Sequence, residues 1–394
     1  MIGLPPCSDK FGTLPLFLSN SLFEKVNETG AAIILSFKQQ IGRIIKVIED
    51  KTRVQPFNDD GEHRTFPVSI FYPVSGVSTE NHEMKLLSLF HPASDAAKNI
   101  FSKVGIDEEA LNTISISVLD NAMPELHRSI PVVVFSPGFG IDRDLYIETI
   151  TSIVESGYAV VTVGVPYDTL FTVFPDGRVV LQAERFPSDD EQVRTRMQDI
   201  QLVIEHLRKW NEEGFLRGMF DMNRIGMMGH SLGGASVFKV AAIDDRVRCI
   251  ILFDASLHLI GDKIPNIPLL NMRQEAASFP EYLETIRGEA DDDTSKLIAT
   301  AFIEGQSRLY DCLPSTRSFV KIVGANHLSF STVGRLIGAL PPSVTATIQR
   351  VTLAFLQEFL NDDQGAYTDL IHGVNRPSNL VEINGIGLAI EIQI

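Results

Sequence analysis

The chain has 394 residues, of which 44% are hydrophobic and 21% are charged, and this composition is that of an ordinary globular protein. Its 34 Lys and Arg face 50 Asp and Glu, which gives a formal net charge of −16. We therefore expect no nucleic-acid partner, because such partners are held by basic residues that neutralise phosphates. The three cysteines, Cys7, Cys249 and Cys312, share no disulfide or metal-ligand spacing, which suits a reducing compartment.

The N-terminus lacks a basic segment followed by an apolar stretch, so no signal peptide is evident and we expect a cytoplasmic protein. The longest apolar runs, such as Ala31–Phe37, are far shorter than the ~20 residues that span a bilayer. Residues 1–40 carry no motif and are interpreted as an N-terminal extension.

Short β-branched runs alternate with helical patterns along residues 41–365, which predicts one α/β domain with a mostly parallel sheet and helices on both faces. The first two runs are separated by a turn-rich stretch and predict an antiparallel start. The eight predicted strands are Ile44–Ile48, Arg64–Tyr72, Val132–Ser136, Ala159–Val163, Ile225–Met228, Val247–Phe253, Ile267–Asn271 and Phe319–Val323.

Helices are predicted at Asp199–Trp210 and Gly233–Ile243, where apolar or small residues recur at helical spacing. Three longer segments interrupt the rhythm of strands and helices and are interpreted as cap-like insertions at the sheet edge or over a site. They are Ser75–Ile130, Asp168–Thr195 and Glu275–Ser318.

The remaining segments are interpreted from their turn chemistry. The acidic run Gly288–Asp293 is interpreted as a solvated turn and not as a metal site. Residues 366–394 form a C-terminal tail, in which the Asn384-Gly385 step between apolar runs predicts a β-hairpin.

The strongest chemical signal is the pentapeptide Gly229-His230-Ser231-Leu232-Gly233, which matches the pattern G-x-S-x-G. An apolar run precedes it and a small-residue helix pattern follows. The two glycines let strand and helix approach closely, and the turn presents the hydroxyl of Ser231 near the positive end of the helix. Ser231 is therefore the predicted nucleophile, and His230 is interpreted as a packing residue.

A serine hydroxyl needs a base that a carboxylate holds in place. Among the nine histidines we favour His327, because it lies on a loop directly after the last predicted strand. Two carboxylates compete for the role of the acid. Asp254 ends an apolar strand and is preferred, whereas Glu275 lies beyond the next strand and is interpreted as a helix-start residue.

The oxyanion of such a reaction needs two backbone N–H donors. One is expected from Leu232, the residue after the nucleophile. The other is expected from Phe139, in the glycine-rich loop Ser136-Pro137-Gly138-Phe139-Gly140 that follows the third predicted strand.

These motifs resemble the α/β-hydrolase superfamily and, within it, the platelet-activating-factor acetylhydrolase-like serine esterases. The resemblance runs from about Ile44 to Leu360 and rests on SIFYPV, FSPGFGIDRDLY, GHSLGG, FDAS and the late ANH. It implies the α/β-hydrolase fold, an acid after the sixth strand at Asp254, and cleavage of short or oxidised acyl groups from phospholipids without a metal. The oxyanion loop departs from the Ser-His-Gly that is frequent in the family.

The predicted function is therefore hydrolysis of a carboxylic ester, short-chain or phospholipid-like, through an acyl-enzyme on Ser231, with no cofactor and no metal. Two alternatives remain open. An acyltransferase or cyclase would use the same acyl-enzyme, and a non-catalytic ligand-binding protein could share the scaffold. The expected partner is a small ester or lipid-like substrate, and the sequence does not specify an oligomeric state.

Overall fold

The computed structural model describes residues 39–57, 60–75, 83–126, 128–183, 188–287, 291–313, 317–338 and 340–390, and the backbones of two strands before them. Residues 1–38 form one compact unit and residues 39–394 form another. In the first unit, Phe23–Val26 pairs antiparallel with Ala32–Leu35. The remainder of the predicted extension and residues 391–394 of the predicted hairpin lie outside the described residues.

The second unit is built on a ten-stranded sheet. In chain order, its strands are β1 Ile41–Val54, β2 His63–Pro73, β3 Val118–Asp120, β4 Ile130–Ser136, β5 Ala159–Val163, β6 Phe220–His230, β7 Val247–Phe253, β8 Leu269–Arg273, β9 Arg317–Ile322 and β10 Leu380–Glu382. Across the sheet they lie in the order β10-β9-β8-β7-β6-β4-β5-β2-β1-β3. β1 and β2 pair antiparallel, and β4 to β9 are parallel to their neighbours within that block.

The predicted class is thus confirmed, since a large, mostly parallel sheet carries helices on both faces. All eight predicted strands lie in the sheet, and the short strands β3 and β10 extend it at its two edges. Two predicted strands, Ala159–Val163 and Val247–Phe253, have the observed bounds, and the other six differ. The differences are largest at β1, predicted at Ile44–Ile48, and at β6, predicted at Ile225–Met228. The strand predicted at Ile267–Asn271 is β8, which begins at Leu269 and continues to Arg273. The extension occurs because Arg273 is buried by an ion pair, which an apolar pattern does not reveal.

Ten α-helices are described: α1 Ser94–Lys103, α2 Glu108–Asn112, α3 Ile147–Glu155, α4 Asp189–Glu212, α5 Leu232–Ala241, α6 Phe279–Ile286, α7 Asp292–Cys312, α8 Thr332–Leu336, α9 Pro342–Leu360 and α10 Ala366–His372. The buried residues of α3 and α9 pack on one face of the sheet, and those of α4 and α5 pack on the other. The two apolar layers explain why the central strands are buried along their whole length.

The three predicted insertions contain regular structure. The first holds α1, α2 and the paired strands Met84–Lys85 and Ser115–Ile116. The second holds the antiparallel pair Phe171–Val173 and Val179–Leu181 and the start of α4, and the third holds α6 and α7. In the acidic run, Asp291 accepts hydrogen bonds from the backbone of Asp293 and Thr294 and so begins α7.

The C-terminal segment reverses where the Asn384-Gly385 step lies, but over a longer loop than a two-residue turn. Ile383 bridges Ala389, and the backbone N–H of Asn384 donates to Leu388. The left-handed residue of this loop is Gly387, with φ of 81°. Before the reversal, β10 pairs antiparallel with β9, so the tail completes one edge of the sheet.

Candidate active site

The carboxyl ends of β4, β6, β7, β8 and β9 lie along one edge of the sheet, where α/β folds bind ligands. Between β6 and α5, Ser231 adopts φ of 53° and ψ of −121°, a strained conformation for a residue with a side chain. A Cβ on Gly229 would lie 2.5 Å from the carbonyl oxygen of Gly233, and one on Gly233 would lie 2.2 Å from that of Ser136. The two glycines are thus required by the sharp turn that presents Ser231.

His327 and Asp254 meet at this edge. The Nδ1 of His327 lies 2.5 Å from Oδ2 of Asp254, so the carboxylate accepts a hydrogen bond from the imidazole. The Asp254 side chain is only 1% exposed, whereas that of His327 is 45% exposed. The arrangement shields the Asp254 carboxylate from water and leaves the His327 ring open to solvent.

Asp254 is held from several sides. Its backbone is strained, with φ of 42°, and its N–H donates to Met272. Its Oδ1 lies 2.8 Å from Nη2 of Arg273 and accepts from the N–H of Gln274. Burial alone would raise the pKa of the Asp254 carboxyl, but Arg273 and His327 together hold that pKa well below its usual range. Asp254 is therefore an ionised carboxylate throughout the neutral range.

Glu275, the competing carboxylate, lies elsewhere. It is exposed, and its Oε2 accepts a hydrogen bond from the backbone N–H of Gly324. Its own N–H donates to the carbonyl of Ala325. Glu275 thus supports the loop that leads from β9 to His327, and the carboxylate in contact with the imidazole is Asp254.

Ser231 is next to this pair but is not bonded to it. Within the described residues, neither its hydroxyl nor Nε2 of His327 has a hydrogen-bond partner. The ring of His230, the residue before Ser231, lies 4.6 Å from the ring of His327. The structure therefore places the turn that carries Ser231 beside the loop that carries His327, and a hydrogen bond between the serine hydroxyl and His327 is not formed.

The two expected oxyanion donors lie on segments that touch. The Cβ position of Gly138 is 3.4 Å from Cβ of Ser231, so the loop that carries Phe139 passes beside the turn. Leu232 is the first residue of α5, where backbone N–H groups have no partner inside the helix. In the described part of the chain, no hydrogen bond uses the N–H of Phe139 or Leu232.

The sequence did not indicate the ion pair that supports this loop. Arg196 of α4 donates through Nε to Asp168 at 2.7 Å, and a second guanidinium nitrogen contacts the other oxygen of that carboxylate. A further guanidinium nitrogen of Arg196 donates to the backbone carbonyl of Pro137. The side chains of Arg196 and Asp168 are both buried. The bidentate pair fixes the Pro137 carbonyl, and the N–H of Gly138, in the same peptide bond, points the opposite way and donates to Tyr146. Nothing in the spacing of Asp168 and Arg196 pointed to this contact.

His230 is buried, as its interpretation as a packing residue implied, but it also has polar partners. Its Nδ1 lies 2.9 Å from the hydroxyl oxygen of Tyr146, and its Nε2 lies 3.0 Å from the carbonyl oxygen of His327. The Tyr146 oxygen also accepts a hydrogen bond from the N–H of Gly138. Burial, and the proximity of His327, hold the pKa of His230 well below its ordinary value, so its ring is neutral.

The described residues contain no group of three or more His, Cys, Asp or Glu side chains placed to hold a metal ion. They also contain no helix that is long and apolar enough to cross a membrane.

Comparison with solved structures identifies the class of fold. A ferulic acid esterase from Streptomyces cinnamoneus superposes with a TM-score of 0.67 at 21% identity, covering 88% of this chain and 96% of that one. The expected α/β-hydrolase fold is therefore confirmed.

Comparison of sequences identifies the relatives within that class. The family model "Platelet-activating factor acetylhydrolase, isoform II" matches residues 178–270, which include Ser231 and Asp254. A probable 1-alkyl-2-acetylglycerophosphocholine esterase from Arthroderma benhamiae is 30% identical over 33% of this chain and 33% of its own length. The platelet-activating factor acetylhydrolase of Bos taurus is 25% identical over 62% of this chain and 60% of its own.

A bis(hydroxyethyl) terephthalate hydrolase from Streptomyces coelicolor is 26% identical over 42% of this chain and 44% of its own. The chain thus spans between a third and three fifths of the length of these relatives. The predicted resemblance to the platelet-activating-factor acetylhydrolase-like esterases is confirmed over that part of the chain.

Proposed function

We propose that the protein is a serine hydrolase of carboxylic esters, in which Ser231 is the nucleophile, His327 the base and Asp254 the acid. The observation that carries the proposal is the 2.5 Å contact between Nδ1 of His327 and Asp254, beside the strained turn at Ser231. That contact leaves Nε2 of His327 as the nitrogen available to the serine hydroxyl, which is the geometry such a mechanism requires.

In the first half of the reaction, Ser231 Oγ attacks the ester carbonyl carbon while its proton passes to Nε2 of His327. The resulting imidazolium is stabilised by Asp254, which stays ionised because its pKa is low. The negative charge that develops on the carbonyl oxygen is stabilised by the N–H groups of Leu232 and Phe139. Collapse of the tetrahedral intermediate expels the alcohol, which takes the proton from His327.

In the second half, water replaces the alcohol. His327 accepts a proton from the water while the water oxygen attacks the acyl carbon of the ester on Ser231. The same two N–H groups stabilise the second tetrahedral intermediate. Its collapse releases the carboxylic acid, returns the proton to Ser231 and needs no metal or cofactor.

For the substrate we propose an ester with a short acyl group, including phospholipid-like esters. The support comes from relatives that are named for an acetylated phospholipid or for small aromatic esters. The open side of His327 and the exposure of Phe139, 56% exposed, are compatible with a substrate that arrives from solvent at the sheet edge.

The proposal is tested by labelling with a fluorophosphonate probe, intact-mass detection and peptide mapping, followed by turnover of p-nitrophenyl acetate, butyrate and octanoate. We expect one label, on Ser231, and faster turnover of the shorter esters. Ser231→Ala should take no label and should lose activity by a factor of about 10⁴ or more, down to what binding and the oxyanion donors supply. Ser256→Ala, a serine in the same region, is the matched control.

Full turnover by a folded Ser231→Ala protein would contradict the proposed nucleophile. Labelling without turnover, combined with consumption of an added alcohol or amine, would indicate the acyltransferase alternative. A chain that takes no label at all would indicate the ligand-binding alternative.

A further inference from the structure

The triad carboxylate has a cationic partner that the proposed mechanism does not use. Arg273, the last residue of β8, is 0% exposed, and its Nη2 lies 2.8 Å from Oδ1 of Asp254. His327 contacts the other oxygen, Oδ2. The two oxygens of Asp254 are thus divided between a permanent cation and the base.

The guanidinium is fixed in place. Its Nη1 donates to the carbonyl of Ala255 at 3.1 Å, and its central carbon lies 4.0 Å from the ring centroid of Phe302 on α7. Its Nε and Nη2 are buried and have no hydrogen-bond partner, so the contact of Nη2 with Asp254 is an ion pair without hydrogen-bond geometry. A buried charge with an unpaired N–H is a poor choice for stability alone, because apolar residues often fill such a place at lower cost. The stability of the fold therefore does not account for an arginine at this position, and a role in the function does.

Resting on the proposed function, we propose that Arg273 is a positioning residue that fixes Asp254 against the sheet and keeps the base His327 deprotonated to lower pH. The physical reason is competition for one negative charge. A carboxylate whose neighbour is a fixed cation stabilises a second cation, the imidazolium, less than an unpaired carboxylate does.

The other polar groups around this pair do not supply such a cation. His230, from the end of β6, is buried and neutral, and Tyr282 of α6 carries no positive charge in either protonation state. Arg196 of α4 is paired with Asp168. Within the described residues, Arg273 and His327 are the side chains that form ion pairs with Asp254.

The test compares variants of the full chain by the pH dependence of kcat/KM on p-nitrophenyl acetate, after thermal unfolding has shown that each is folded. Arg273→Gln and Arg273→Met remove the charge, and we expect the acid limb to move to higher pH by about one unit. Arg273→Lys keeps a cation on a shorter side chain, so its limb should move less, in the same direction. Arg64→Gln is the control, because Arg64 is equally buried, pairs with Asp199 and lies over a phenylalanine ring. The acid limb of its kcat/KM profile should stay at the pH of the wild-type protein.

A second measurement does not depend on activity. In the Ser231→Ala background, NMR of the His327 ring follows the pH at which the imidazole binds its proton, with and without Arg273→Gln. If Ser231→Ala remains fully active, the proposed function fails, yet the NMR titration still decides the role of Arg273. If Arg273→Gln does not fold, Arg273→Met carries the same comparison, because it also removes the charge. A titration midpoint that is unchanged in every folded Arg273 variant would overturn the inference, because a purely structural arginine would not move it.

Discussion

The imidazole of His230 donates a hydrogen bond through Nε2 to the backbone carbonyl of His327, at 3.0 Å. A carbonyl can only accept, so Nε2 carries the proton and Nδ1 is the acceptor of the ring. The hydroxyl of Tyr146 must then donate to Nδ1, and its oxygen is free to accept from the N–H of Gly138. One buried chain of three hydrogen bonds therefore connects the loop of His327, the proposed base, to the loop of Phe139, a proposed oxyanion donor.

The first prediction removes the central hydroxyl of this chain. Tyr146→Phe leaves the N–H of Gly138 and Nδ1 of His230 unpaired, and each unpaired buried group costs about 1–3 kcal/mol. Because the loop that carries Phe139 then loses an anchor, we expect kcat/KM to fall about 10- to 100-fold. Steady-state kinetics and thermal unfolding measure the two effects.

Tyr158→Phe is the matched control, since the Tyr158 hydroxyl is also buried and accepts a hydrogen bond from Asn361 away from the site. It should lower stability without a comparable loss of activity. If both variants keep wild-type kcat/KM, the chain does not position the oxyanion donors.

The second prediction concerns the acid. Asp254→Asn removes the charge that stabilises the imidazolium and favours the wrong tautomer of His327, so kcat/KM should fall by about 10³–10⁴. Glu275→Gln keeps an acceptor for the N–H of Gly324, so its loss should stay below about tenfold. Kinetics on p-nitrophenyl acetate compare the two.

Thermal unfolding must accompany these kinetics, because Asp254→Asn leaves the guanidinium of Arg273 without its carboxylate. If Glu275→Gln loses its activity while a folded Asp254→Asn protein stays active, the acid lies after β8 and the assignment of Asp254 as the acid is wrong.

The sequence predicted most of this arrangement because its signals are local. Ser231, Leu232 and Asp254 each lie at the end or start of one buried strand or helix, and a parallel sheet collects those ends at one edge. His327 follows the last predicted strand by the same logic. The edge strand β3 was not predicted because it has three residues, too few for a periodic pattern. The other edge strand, β10, lies in the first apolar run of the predicted C-terminal hairpin, but its pairing with β9 was not predicted.

What the sequence missed are contacts between distant segments. Arg196 and Asp168, or Tyr146 and His230, meet only when the sheet and its helices pack, and no spacing along the chain encodes those pairs. Arg273 could have been found. A charged residue at the end of an apolar strand needs a partner, which is the reasoning that favoured Asp254.

The third prediction tests the steric basis of the turn at Ser231. Gly233→Ala would place a Cβ 2.2 Å from the carbonyl oxygen of Ser136 and 2.4 Å from that of Pro137, both backbone atoms. We expect a loss of about 3 kcal/mol in the free energy of unfolding, at the upper end of overpacking effects, with little activity left. Denaturant unfolding and fluorophosphonate labelling measure the two losses.

Gly226→Ala, on the strand β6 that leads into the turn, is the control. Its Cβ would meet the end of the Leu360 side chain at 3.0 Å, which can shift by a few tenths of an ångström. A Gly233→Ala protein that is as stable and active as Gly226→Ala would mean that the loop and the turn are less closely packed than described.

The last prediction concerns stability and pH. Burial holds the pKa of His230 well below its ordinary value of 6.5, so the unfolded chain binds a proton at this position at a pH where the folded protein does not. The stability of the fold therefore falls as the pH drops below about 6.5, with a slope of up to about 1.4 kcal/mol per pH unit from this one group. His258, whose pKa burial also lowers, adds a contribution of the same sign.

His230→Gln removes the titrating group while its amide N–H can still donate to the carbonyl of His327. Between pH 6.5 and pH 5, the free energy of unfolding of this variant should lose about 2 kcal/mol less than that of the wild-type protein. Urea unfolding at each pH gives the comparison, and His372→Gln, at a side chain that is 58% exposed, is the control for loss of a histidine. If wild type and His230→Gln lose stability in parallel as the pH falls, the folded protein protonates His230 as readily as the unfolded chain, and the direction of the three-bond chain derived from its neutral ring is wrong.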